Sequence, residues 1–98
     1  MTWEVLLRQR AEADLKEARD WYEERQPGLG EQFIDAAAEA MAQLAIAPER
    51  RPEYYRGFRR LLLSRFPYKI FYLLEGNAVV VFRVLHGHQD HASKLRRR

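Results

Sequence analysis

At the start of the chain Trp3, Val5 and Leu7 alternate with Thr2, Glu4 and Leu6. A period of two belongs to a strand with one well-buried face, so a strand is predicted from Thr2 to Arg8. From Arg10 the period lengthens. Ala11, Leu15, Ala18 and Tyr22 recur at steps of four and three, and Glu12 pairs with Lys16 across one turn, the pattern of an amphipathic helix. Pro27, Gly28 and Gly30 break it. Phe33, Ala37, Ala40 and Leu44 then form a second helical stripe that runs to Ala47, ahead of Pro48. The short link "QPGLG" makes the two helices an antiparallel hairpin, and the alanines of "DAAAEAMAQLA" permit close packing. Beyond Pro48 and Pro52, three further strands are predicted: Phe58–Leu63, Lys69–Leu74 and Val79–His86. Gly76-Asn77 supplies a tight turn between the last two. The order βααβββ predicts an α+β domain with a helical hairpin on one face of a small antiparallel sheet.

A length of 98 residues suits one domain with one modest core, covering 1–98 with a short basic tail at about 91–98. An apolar content of 47% with 12% aromatics argues for a folded chain. Cysteine is absent, which removes disulfides and cysteine-based metal sites and suits a reducing cytosol. The amino terminus lacks the apolar run of a signal peptide and no segment reaches membrane-spanning length, so a cytoplasmic protein without membrane contact is expected. Charge changes the picture more than composition does. Residues 1–49 hold 5 lysines and arginines against 11 carboxylates, a net −6; residues 50–98 hold 12 against 3, a net +9. Such asymmetry suits an anionic partner, a nucleic acid or an acidic protein segment.

The order βααβββ, the run "DLKEARDWYEERQPGLGEQF", the core "GFRRLLLSRFPYKIFY" and the closing "VFRVLHGHQD" together resemble the RelE/ParE toxins of type II toxin–antitoxin systems. The resemblance implies a small basic toxin held inactive in a hetero-oligomer by an acidic antitoxin, with no cofactor. It also implies one of two targets: ParE-like members inhibit DNA gyrase, whereas RelE-like members are ribosome-dependent endoribonucleases that cut mRNA. A third reading keeps the fold as a non-toxic nucleic-acid-binding or scaffold module.

Metal-independent RNA cleavage needs a base for the 2′-hydroxyl, a cation for the phosphorane and an acid for the leaving oxygen. The resemblance points to His86, Arg83, Lys69 and Arg65 as the groups that would serve. Gly87 follows His86 where the nucleases carry tyrosine, and no tyrosine occurs after Tyr72. Arginine stays protonated, leaving His86 or Lys69 as proton acceptor. Strand alternation puts Arg83 with Val79, Val81 and Leu85, and His86 with Val80, Phe82 and Val84, unless the strand bulges. The acid–base set therefore reads as incomplete, and the ParE-like branch is favoured.

Arg59, Arg60, Arg65 and Arg83, placed by strand spacing on the sheet face and edges the helices leave open, are the candidate antitoxin- or target-binding residues, with Tyr54 and Tyr55 on the loop before the second strand. The run "HGHQDH" brings His86, His88 and His91 near Asp90, but Gly87 interrupts the strand spacing and no metal is expected. Trp21 and Tyr22 read as core or staple residues at a helix end. Half of Tyr68, Phe71 and Tyr72 should turn into the core.

Overall fold

The computed structural model describes residues 3–87, 89 and 91–96. Strand β1 (Glu4–Leu7) leads into helix α1 (Gln9–Arg25), helix α2 (Leu29–Leu44), a 3₁₀ turn at Pro48–Arg50, and strands β2 (Arg59–Leu62), β3 (Tyr68–Glu75) and β4 (Ala78–His86). A single helical turn, α3 (His91–Lys94), follows. The element order matches the periodicities in the sequence. Thr2, expected in the first strand, lies outside the described residues.

The sheet order is β1-β4-β3-β2. Strands β2, β3 and β4 are antiparallel, and Gly76-Asn77 makes the tight β3–β4 turn, with Gly76 at φ +62°. Strand β1 departs from the expected antiparallel sheet, because it pairs with β4 in parallel. The helical hairpin is the physical reason. It runs out along one helix and back along the other, so α2 ends beside the start of β1, where the Trp3 N–H donates to the Ala45 carbonyl at 2.9 Å. Strand β2 thus starts at the same end as β1 and runs the same way. Two hairpins later, so does β4.

Close packing of the helices depends on Gly30. A Cβ there would lie 2.6 Å from the Arg19 carbonyl oxygen and 2.9 Å from the Glu23 carboxylate. That carboxylate accepts from the Gly28 and Gly30 N–H groups, both at 3.0 Å, and so satisfies donors at the start of α2. Against the helices the sheet buries Ile70, Tyr72, Val79, Val81 and Val84 with Phe33, Ala37 and Leu44. Phe33 and Phe66 meet edge to face at 5.3 Å, with Tyr22 packed on both and Tyr68 on Phe33.

The opposite face is not open. Phe58, Phe71, Leu73, Phe82, Leu85 and Leu95 form a second buried cluster there, with Tyr55 against it. Its cover comes from the irregular segment before β2 and from the carboxy-terminal turn. The first part of the basic tail packs on the sheet: Leu95 is 2% exposed and the His91 ring lies 4.9 Å from Phe71. Arg97 and Arg98 lie outside the described residues.

A bulge adjusts β4 between these two cores. Phe71 pairs with Arg83 but Tyr72 pairs with Val81, leaving Phe82 as the extra residue. The expected alternation is therefore corrected: Val84 packs in the same core as Val79 and Val81, while Phe82 and Leu85 pack in the other. Past Val81 the outer edge of β4 runs beyond β1, and α1 covers it with Asp14, which accepts from the Val84 N–H at 2.9 Å.

Candidate functional site

The four candidate arginines separate into two kinds. Arg83 is 8% exposed and makes a two-pronged ion pair with Asp14, at 2.7 Å from Nε and 3.0 Å from Nη2. Its expected place on an uncovered sheet face is corrected, because the bulge brings it to the β4 edge where α1 presents the carboxylate. Arg59 donates to the backbone carbonyls of Glu49 and Arg51 and so ties the 3₁₀ turn to β2. Both hold the fold together. The Tyr72 hydroxyl reinforces the same turn from the core, donating to the Pro48 carbonyl at 2.8 Å, and burial pushes its pKa up.

Arg60 and Arg65 remain outward. The Arg60 guanidinium lies 3.9 Å from the Tyr54 ring centroid, beside an open depression of about 450 Å³ that also takes in Leu62. Leu62 is 60% exposed on the edge strand β2, an apolar side chain set among cations. Arg65 is exposed in the β2–β3 turn at φ +68°. Tyr54 stays accessible, whereas Tyr55 is half-buried against the second core. Arg56, exposed and 5.5 Å from the Tyr55 ring, belongs with this basic edge and was not singled out by strand spacing because it lies in a loop.

The candidate nuclease residues do not gather. Tyr68 pairs with His86 across the ladder and Lys69 with Leu85, so Lys69 points to the face away from the helices while Tyr68 and His86 point toward α1. Arg83 is occupied by Asp14, and Arg65 is not among the residues around His86. What surrounds His86 is a cleft of about 320 Å³ walled by Tyr68, Tyr22, Trp21, Asp14 and Glu17. The His86 and Tyr68 rings meet edge to face at 5.2 Å. The tyrosine missing after β4 is thus supplied from β3, but beside carboxylates rather than cations. Burial raises the Tyr68 pKa, and the nearby Tyr22, Glu17 and Asp14 raise it further, as expected in a negative field.

Asp14, Glu17, Ala18 and Trp21 follow helical spacing on α1, and that signal was legible. It was masked by the adjacent stripe of Ala11, Leu15, Ala18 and Tyr22, which carries the core. Tyr22 is a packing residue as expected. Trp21 is 48% exposed, with the Arg25 guanidinium 3.6 Å from its ring centroid. In the "HGHQDH" run, His88 and Asp90 lie outside the described residues. His91 Nε2 donates to the His86 carbonyl at 3.1 Å, and the strand ends at His86. No group of three or more potential metal ligands occurs among the described residues. No described helix is long and apolar enough to cross a membrane.

Comparison with known proteins adds a family. The model of the ParE toxin of type II toxin-antitoxin system, parDE, matches residues 5–91. No curated protein matches the chain. Among solved structures, one titled "Chromosomal ParDE TA system from P. aeruginosa" superposes with a TM-score of 0.78 at 22% identity. The match covers 86% of this chain and 95% of that one, and bears on the fold.

Proposed function

This chain belongs to the ParE toxin family of type II toxin–antitoxin systems, and from that premise we propose that it arrests growth by inhibiting DNA gyrase and is neutralised by an acidic antitoxin. The observation that carries the choice of target is the division of the candidate nuclease groups between two faces of the sheet. His86 sits in a cleft with Glu17 and Asp14, Lys69 turns to the other face, and Arg83 is held by Asp14. A phosphodiester entering the His86 cleft would meet carboxylates where cleavage needs cations to balance the phosphorane. Inhibition by docking asks for no such assembly.

The antitoxin reading rests on the basic edge. Arg60 stacks on Tyr54 and, with Arg51 and Glu53, lines the depression that holds the exposed Leu62, while Arg56 and Arg65 are exposed in the loops at either end of β2, a combination of positive charge and apolar surface that suits an acidic, amphipathic segment. Covering this edge in the bacterial cytoplasm would also cover a surface available to the target.

The test is expression of the wild-type chain and of His86→Ala in bacteria. Both should arrest growth, and co-expression of an acidic protein encoded beside the toxin should restore it. Purified His86→Ala should inhibit supercoiling by gyrase and leave mRNA intact in a translating extract. Codon-positioned cuts made by the wild type and lowered about a hundredfold in His86→Ala would establish the nuclease instead.

A further inference from the structure

The cleft beside His86 has a chemistry of its own, opposite in sign to the basic edge. We propose that it receives an arginine side chain presented by a partner protein. This assignment shares the carboxylates of the cleft with the argument against RNA cleavage, but it does not require that gyrase be the target.

Three features select the ligand. The first is the wall: Trp21, Tyr22, Tyr68 and His86 line about 320 Å³ with aromatic rings, and ring faces attract a cation that has shed part of its water. The second is charge. Among the described residues no lysine or arginine lines the cleft, while Asp14 and Glu17 both do. Asp14 is already occupied by Arg83 and the Val84 N–H, so the carboxylate left to meet an incoming cation is Glu17, which has no ion-pair partner among the described residues. The third is a precedent within the molecule. Arg25 lies 3.6 Å from the Trp21 ring centroid, so this indole already accepts a guanidinium, yet Arg25 is not among the residues lining the cleft and leaves its space unfilled.

A planar guanidinium can stack on a ring and present two N–H groups to a carboxylate at once, which a compact ammonium cannot do. Arginine is therefore favoured over lysine. Burial is the main cause of the raised pKa of Tyr68, and Tyr22, Glu17 and Asp14 add to it. Trp21, 48% exposed at the rim, gives the chain bearing such an arginine an apolar surface to rest on. A partner protein fits this open site better than a free amine, because one stacked cation holds only weakly and the remaining affinity must come from flanking contacts.

The test uses the full-length chain labelled with ¹⁵N and a glycine-flanked arginine peptide, with the same peptide carrying citrulline as its neutral isostere. The arginine peptide should bind with a Kd on the order of 1 mM, shifting the Trp21 indole and His86 signals. The citrulline peptide should bind at least about fivefold more weakly, and Glu17→Gln should weaken the arginine peptide by roughly the same factor. Trp21→Leu should weaken it by about tenfold. Glu39→Gln, the same loss of charge at an exposed position on α2, should change nothing. Equal binding of the two peptides, shifts that cluster at Arg60 and Tyr54, equal effects of Glu17→Gln and Glu39→Gln, or no shift at about ten times the expected Kd would each overturn the assignment.

Discussion

The two faces of the sheet are covered by different means. On one, regular helices bring Phe33, Ala37 and Leu44 down on β3 and β4, and the aromatic group of Tyr22, Phe33, Phe66 and Tyr68 locks them together. On the other, Tyr55, Phe58 and Leu95 reach the sheet from a loop and a single helical turn. Both faces bury large side chains completely. The first cover belongs to a helical hairpin that buries Ala11, Ala18, Phe33, Ala36, Ala37, Ala40 and Leu44 along its length, so it should open only with the whole molecule. The second is held by a few side chains and can open locally. The basic edge around Tyr54 and Arg60, proposed above as the antitoxin surface, adjoins the side that opens more easily.

The largest effect should come from the helix-covered face. Phe33→Ala removes a ring at 0% exposure that touches three other aromatics, and should cost about 4 kcal/mol in urea unfolding. A loss near 1 kcal/mol would mean that this face can collapse around the gap and is no more rigid than the other. Asp14→Ala comes next, because it leaves Arg83 buried without its partner and the Val84 N–H without an acceptor. A loss of about 3 kcal/mol is expected, with amide exchange accelerated at Val84. Unchanged stability would show that Arg83 finds another acceptor or water. The smallest of the three is Leu95→Ala, about 2 kcal/mol, with faster amide exchange confined to the Tyr54–Phe58 segment and the carboxy-terminal turn. If exchange rises equally throughout the helices, the two faces unfold as one and the contrast fails.

The same contrast separates what was legible in the sequence from what was not. The helical faces were, since Ala11, Ala18, Phe33, Ala37 and Leu44 repeat at helical spacing and all are buried. The second core was not. Leu95 stands beside a run of arginines and reads as part of a tail, and Tyr55 lies in a loop with no periodicity. Contacts made by irregular segments leave no repeat to detect.

For the site, residue types were readable but their partners were not. Strand spacing placed Arg59, Arg60, Arg65 and Arg83 in one class, yet Arg83 is an internal ion-pair partner and Arg59 a clamp on the 3₁₀ turn. His86 was recognisable as the distinctive group at the end of β4. Its neighbours Tyr68, Trp21 and Glu17 come from β3 and α1, tens of residues away in the chain.

By itself the sequence determined the elements, their order, the helical hairpin, the Gly76-Asn77 turn and the split of charge into an acidic and a basic half. Each is set by local periodicity, turn chemistry or composition, and these act within a few residues of the chain. Only the tertiary structure decided that β1 runs parallel to β4, that Phe82 bulges and exchanges the faces beyond it, and that Asp14 rather than a partner holds Arg83. Each of these joins residues far apart in the chain: β1 to β4, Phe71 and Tyr72 to the bulged β4, and Asp14 to Arg83. Such pairings are settled only when the elements pack together, and no local stretch of sequence encodes them.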